Sequence, residues 1–184
     1  MAEPLILASA SPRRRELLGY TGVPFEVMTA DAEEMKQGEP RALVMENARR
    51  KALAVFRAHP GRRVLGADTV VALPGRVLGK PRTEAEAREM LAALSGQWHT
   101  VYTGVCLVDE AGTCDLRADE TRVLFSDMTE ADIQRYVASG EPMDKAGAYA
   151  VQGRGGMYVE RIEGSYSNVI GLPLALVRRM LQIG

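Results

Sequence analysis

Short apolar runs alternate along the chain with stretches in which apolar residues recur at helical spacing, a pattern that predicts mixed strands and helices. Leu5 to Leu7 reads as a buried strand, and Pro12 to Leu18 as a helix ending near Gly19. Phe25 to Met28 predicts a second strand, ahead of an acidic loop from Asp31 to Glu34. A long helix is expected from about Arg41 to Phe56, where Leu43, Asn47, Arg50 or Lys51, and Ala54 share a face; Pro60 and Gly61 close it. Val64 to Val71 reads as a short strand interrupted by Gly66-Ala67-Asp68-Thr69. Leu73-Pro74-Gly75-Arg76 makes a turn before Val77, Leu78 and the loop Gly79-Lys80-Pro81. Thr83 with Glu86, and Thr129 with Asp132, form capping-box patterns that open two further helices. Between those helices, Val101 to Val108 and Arg122 to Phe125 are expected strands, joined across Glu110-Ala111-Gly112-Thr113. The last helix follows Gly171-Leu172-Pro173, with Leu174, Val177 and Leu181 on one face. Mixed element order around a long central hairpin implies an α/β domain with a partly antiparallel sheet. No repeat, low-complexity tract or linker interrupts it.

The 184 residues, 46% hydrophobic and 26% charged, suit one well-buried domain or one domain with a small lobe. Apolar stretches fall far short of the ~20 residues that span a bilayer, and a basic-then-apolar leader is lacking, so a cytoplasmic protein is expected. Cys106 and Cys114 lie in the hairpin with only His59 and His99 elsewhere, which argues against a zinc site or disulfide scaffold. A formal net charge of −1 argues against a general nucleic-acid binder. Small anionic ligands remain compatible, because a local cluster of cations is enough for them.

One such cluster is Ala8-Ser9-Ala10-Ser11-Pro12-Arg13-Arg14-Arg15. Ser11 suits the N-cap and Pro12 the first helical position, so free N–H groups, the helix dipole and guanidiniums meet where a phosphate could bind. An ordinary capped helix with a basic turn has the same sequence. At roughly 100° per residue, no more than one or two of the three arginines face one ligand. Asp68 stands in an otherwise apolar strand, where a carboxylate needs a partner. It either caps a turn with Thr69, holds Mg²⁺ or Mn²⁺, or accepts a proton from water. Glu33 and Glu34 on their own read as a solvated face, and Lys51, flanked by Arg49 and Arg50, as exposed. Lys80 and Lys145 sit beside Pro or Gly in tight loops, which suits point-charge phosphate ligands. Neither histidine has a nucleophile at a recognisable spacing, and no P-loop motif is present.

The segments Met143-Asp144-Lys145-Ala146-Gly147-Ala148-Tyr149-Ala150-Val151-Gln152-Gly153 and Gly164 to Pro173 complete a more specific set. With Ser-Pro-Arg-Arg at 11–14, Gly-Ala-Asp-Thr at 66–69 and Gly-Lys-Pro at 79–81, they resemble the Maf family of nucleoside triphosphate pyrophosphatases, in order from about Leu5 to Leu181. The resemblance implies an α/β, inosine-triphosphate-pyrophosphatase-like fold. Residues 1–184 would form a single domain, with two lobes around an elongated bent mixed sheet with flanking helices and an active-site cleft between the lobes. It also implies a divalent cation (Mg, Mn or Co) and attack of water on the α-phosphate, giving the nucleoside monophosphate and pyrophosphate. Asp68 matches the proton acceptor and a metal contact, and Glu34 the acidic position completing the metal site. Ser9, Arg13, Lys51, Lys80 and Lys145 match polar or cationic positions at the triphosphate, with Arg14 beside Arg13 as a further candidate. Several cations are needed, because a triphosphate carries about four negative charges.

Family subgroups divide at three positions, here Arg13, Thr69 and Gln152, which resemble the subgroup acting on dTTP and UTP. A glutamine both donates and accepts, so Gln152 could read the O4 and N3–H edge of uracil and thymine. The expected activity is hydrolysis of dTTP and UTP, and of modified pyrimidine nucleotides. Two other readings stand beside it: the same reaction on 7-methyl-GTP or another non-standard nucleotide, and a nucleotide-binding regulator of septum formation. The acidic pair favours an enzyme, since a pure anion binder gains nothing from carboxylates. The resemblance also suggests a homodimer, with a nucleoside triphosphate as substrate and neither nucleic acid nor membrane as partner.

Overall fold

Helix starts are set by side chains that take up otherwise unpaired N–H groups. Ser11 caps α1 (Pro12–Gly19), with Pro12 at the first position. Glu39 accepts from Arg41 and Ala42 to cap α2 (Pro40–Ala58), and Thr83 accepts from Glu86 to cap α3 (Glu84–Leu94). Thr129 and Asp132 form the reciprocal capping box of α4 (Glu130–Ala138). The Thr83 pattern is only half realised, because the Glu86 carboxylate accepts from the N–H of Arg82 instead. Short helices α5 (Tyr166–Ile170) and α6 (Leu174–Met180) follow. Of the expected face, Val177 and Leu181 are buried and Leu174 is half-buried, with Leu176 and Met180 buried beside them.

The strands are β1 (Leu5–Ala8), β2 (Phe25–Val27), β3 (Val64–Leu73), β4 (Arg76–Leu78), β5 (Trp98–Val108), β6 (Cys114–Phe125) and β7 (Val159–Glu163). In the computed structural model, which describes residues 3–183, they join a seven-stranded mixed sheet of order β2-β1-β3-β5-β6-β7, with β4 paired to β3. The expected break at Gly66-Ala67-Asp68-Thr69 is absent: β3 runs unbroken through it. As a central strand, β3 satisfies its backbone on both sides, and this outweighs the weak strand propensity of Gly and Asp. The long hairpin is confirmed and extended, with β5 beginning at Trp98 and β6 already at Cys114. Cys106 is buried and Cys114 half-buried, and both are free. Among the described residues no helix is long and apolar enough to cross a membrane.

The chain divides into two compact units. The first comprises Met1–Asp68, Thr103–Asp119 and Gly171–Gly184. Here β1 pairs in parallel with both β2 (Leu5 opposite Phe25) and β3 (Ala8 opposite Gly66). Ile6, Ala8, Ala48, Ala52, Val55, Val64, Cys106 and Val108 form a core beneath α2. The second unit comprises Thr69–Tyr102 and Glu120–Ile170. There β3 turns back through β4, and β6 pairs antiparallel with β7. Its core gathers Val71, Leu91, Leu94, Val123, Phe125, Tyr136 and Tyr149. Three 3₁₀ turns, Glu141–Asp144, Ala146–Ala148 and Arg154–Tyr158, fill the segment where periodicity predicts no element.

Candidate active site

In the first unit the site begins with a missing side chain. A Cβ at Gly66 would stand 2.5 Å from the Ala48 carbonyl oxygen and 2.9 Å from the Ala52 Cβ, so only glycine lets α2 lie this close to β3. The approach brings Asn47 and Lys51, one turn apart on α2, against Asp68 of β3. Asp68 is 7% exposed, and both its carboxylate oxygens are taken. Oδ1 accepts from Lys51 Nζ at 2.7 Å and Oδ2 from Asn47 Nδ2 at 3.1 Å. A buried carboxylate needs such partners to offset its desolvation. No turn exists here for Asp68 to cap.

Asn47 uses its whole amide. Besides Asp68, Nδ2 donates to the Met35 carbonyl at 2.9 Å, and Oδ1 accepts from the Met35 N–H at 2.8 Å. This peptide-like pairing fixes the acidic loop at the residue after Glu34. On the other side, Arg50 Nη1 donates to the Glu33 carbonyl at 3.0 Å. Glu34 is thereby held between two anchors, and its Oε1 lies 3.1 Å from Lys51 Nζ. Lys51 is therefore not a solvated lysine: it is bracketed by Glu34 and Asp68. Glu33 itself faces solvent. Sequence reasoning placed Asn47 on the apolar face of α2 without giving it a role. A lone amide among apolar positions, one turn before a lysine, was the available signal.

At the strand-to-helix turn, Ser9 is buried, and its hydroxyl accepts from the N–H of Ser11 at 3.3 Å and from Arg14 Nη1 at 3.3 Å. Arg14 Nε donates to the Gly171 carbonyl at 2.8 Å. Of the three arginines, Arg14 thus turns inward, Arg13 is half-buried and Arg15 is exposed. Burial lowers the Arg14 pKa from its ordinary value; the Asp68 carboxylate opposes this, the Arg13 charge adds to it, and Glu34 opposes it. Asp68 and Glu34 thus act electrostatically on the basic turn. Among the described residues no group of three or more His, Cys, Asp or Glu side chains is placed to hold a metal.

In the second unit, Thr69 follows Asp68 along β3 with its side chain half-buried. Lys80 is exposed after β4, and the Gly79 carbonyl beside it accepts from the N–H of Gly147 at 3.1 Å, tying its loop to the Lys145 segment. Lys145 Nζ donates to the Glu141 carbonyl at 2.8 Å and to Asp144 Oδ1 at 2.5 Å. Gln152 is exposed in the turn between Val151 and Gly153.

The profile of the Maf-like protein family matches residues 4–183. Among similar proteins, the dTTP/UTP pyrophosphatase of Deinococcus radiodurans is 50% identical over 182 residues, covering 98% of this chain and 93% of that protein. The dTTP/UTP pyrophosphatase of Anaeromyxobacter dehalogenans is 51% identical over 187 residues, covering 99% and 94%. In fold, the chain is similar to the Staphylococcus aureus Ham1 protein, with a TM-score of 0.59, 14% identity and 98% of each chain covered. It is likewise similar to a HAM1 protein from Coxiella burnetii, with a TM-score of 0.56, 16% identity and full coverage of both chains.

Proposed function

The chain belongs to the Maf family, and from that premise we propose that it hydrolyses dTTP and UTP to the nucleoside monophosphate and pyrophosphate. The observation that carries this reading is the convergence of Asp68 and Glu34 on Lys51 Nζ, beside the Ser9–Arg14 turn. A site built only to hold an anion would not place two carboxylates there.

Asp68 accepts the proton of the attacking water, its two oxygens held in place by Lys51 and Asn47. Lys51 balances the acidic pair before substrate arrives and offers its charge to the phosphates afterwards. Ser9, Arg13, Arg14, Lys80 and Lys145 bind the triphosphate, whose developing charge is stabilised by donors already in position. The fit to a divalent ion is good: two hard carboxylates already share one cation, and Mg²⁺ characteristically takes one or two carboxylates together with substrate phosphate oxygens. Asp68 and Glu34 would hold the ion, which supplies Lewis acidity and a lowered pKa for bound water. Gln152, with Arg13 and Thr69, reads the pyrimidine. These roles belong to one reaction, so residues 1–184 work as a single domain, in a cytoplasmic homodimer.

The test is a panel of nucleoside triphosphates with Mg²⁺, Mn²⁺ or Co²⁺, assaying pyrophosphate and orthophosphate separately. The expected outcome is stoichiometric pyrophosphate, with dTTP and UTP the best substrates and activity abolished by chelator. Orthophosphate with a diphosphate product, or a preference for 7-methyl-GTP, overturns the assignment.

A further inference from the structure

Glu141 opens a 3₁₀ turn after Gly140, and its carboxylate is used up inside the second unit. Oε1 accepts from the Tyr136 hydroxyl at 2.7 Å and the Gly155 N–H at 3.1 Å, and Oε2 accepts from the Arg154 N–H at 3.0 Å. The Tyr136 oxygen accepts in turn from the Ala150 N–H at 3.0 Å. The chain lies so close that a Cβ at Gly153 would stand 2.5 Å from the Glu141 oxygens, and one at Gly155 2.5 Å from the Tyr136 hydroxyl. The bend 151–153 is therefore clamped on both shoulders, by Tyr136 at Ala150 and by Glu141 at Arg154 and Gly155. Gln152 is its middle residue. The Glu141 backbone carbonyl meanwhile holds Lys145 Nζ. Burial pushes the Glu141 carboxyl up, but the Arg154 N–H, the Tyr136 hydroxyl and the Gly155 N–H hold it on balance below the usual glutamate value. The acceptor-only form is the one three donors require.

We infer that Glu141 is a specificity-positioning residue: its carboxylate clamps the 151–153 bend and so sets where the Gln152 amide meets the pyrimidine edge. This rests on the reading of Gln152 as the group that recognises the base. The Glu141 carboxylate is spent on Tyr136, Arg154 and Gly155. Its effect is on discrimination, because a base-reading amide rejects a wrong edge only if it cannot move to accommodate it.

UTP and CTP differ at the edge in question, so the ratio of their kcat/KM values is the readout. Glu141→Gln keeps the volume but turns one acceptor into a donor facing N–H groups. The expected result is a fall in UTP-over-CTP preference of about 10-fold, carried by KM for UTP, with a lower Tm, because a donor now faces a donor, and unchanged pyrophosphate stoichiometry. Gln152→Ala should lose the preference as well, and the double variant should lose no more than Gln152→Ala. If Gln152→Ala loses the preference and Glu141→Gln retains it, the positioning role is overturned and the base-reading role stands. Additive losses in the double variant overturn it too, since Glu141 would then act independently of Gln152. A wild-type enzyme without the preference, or a Gln152→Ala variant that keeps it, overturns the base-reading role and this inference together. If Glu141→Gln fails to fold, Tyr136→Phe decides: it removes only the hydroxyl of the clamp, so an unchanged preference overturns the inference and a several-fold fall supports it.

Discussion

At the residue scale, the proposed mechanism gives the chemistry to Asp68 and its placement to Asn47. Asp68→Asn keeps a hydrogen-bonding side chain between Lys51 and Asn47 but cannot take the proton. It should lower kcat by at least ~10²-fold with an unchanged circular dichroism spectrum and a lower Tm, because the new amide group faces one of the two donors; near-normal turnover in a folded variant would exclude Asp68 as the base. Asn47→Ala removes the link between Asp68 and the acidic loop, and with it the donor to Asp68 Oδ2. Water takes the freed Met35 hydrogen bonds, but the buried Asp68 Oδ2 loses its donor, so stability should fall by about 1–3 kcal/mol. Turnover should fall about 10-fold through loss of alignment, with KM little changed. The Met35 amide should also lose its protection in hydrogen exchange. A variant with wild-type kcat and a protected Met35 amide would show that Asn47 does not hold the loop.

The α2 helix on β3 is the element on which the first unit's site depends. Its register places Asn47 and Lys51 over Asp68, and Gly66 makes the approach possible. Gly104 repeats the device on β5, where a Cβ would stand 2.2 Å from the Val44 carbonyl oxygen. Both contacts are with helix backbone, which cannot rotate away as a side chain can. Gly66→Ala should therefore destabilise the protein by about 1–3 kcal/mol, read as a lower denaturant midpoint. At a temperature where the variant is fully folded it should still turn over more slowly than wild type, because the displaced helix carries the partners of Asp68. Wild-type kcat in that variant would mean that the site tolerates a shift of α2.

Across the whole molecule, stability should carry a mark of acid through His99. The imidazole is 3% exposed, packed edge-on against Phe125 with ring centroids 5.1 Å apart, and Nε2 pairs with the Tyr149 hydroxyl at 2.8 Å. Burial lowers its pKa from 6.5 to about 4. Between those values the unfolded chain takes up a proton that the folded chain refuses, so acid favours unfolding. Full stability is present above pH 6.5 and is lost as pH falls toward 4, by about 3 kcal/mol. In a comparison of denaturation midpoints, the advantage of wild type over His99→Gln should shrink by that order between pH 7.5 and 4. An advantage that does not change with pH would mean that His99 protonates equally in both states.

Hydrophobic periodicity and cap chemistry act over a few residues, and on that scale the sequence by itself determined much of this protein. The strand at Leu5, the Ser11–Pro12 helix start, the long helix before Arg57, the Thr129–Asp132 box and the central hairpin all follow from neighbours in the chain. Ser9, Arg13, Glu34, Asp68 and Gln152 were legible as candidates from their segments and the Maf resemblance. Tertiary structure alone decided the rest. Asp68 lies in an unbroken strand because β3 is paired on both sides, which the polar interruption of its sequence concealed. Lys51, which reads locally as one cation among several, stands between two carboxylates because Gly66 admits α2 so closely. For Asn47 the chain offers only an amide among apolar positions one turn before a lysine, and for Glu141 its neighbours give no sign of a role. Their partners are 12 and 21 residues away for Asn47, and 13 and 14 for the N–H groups that Glu141 accepts. Such contacts exist only after the chain has closed on itself.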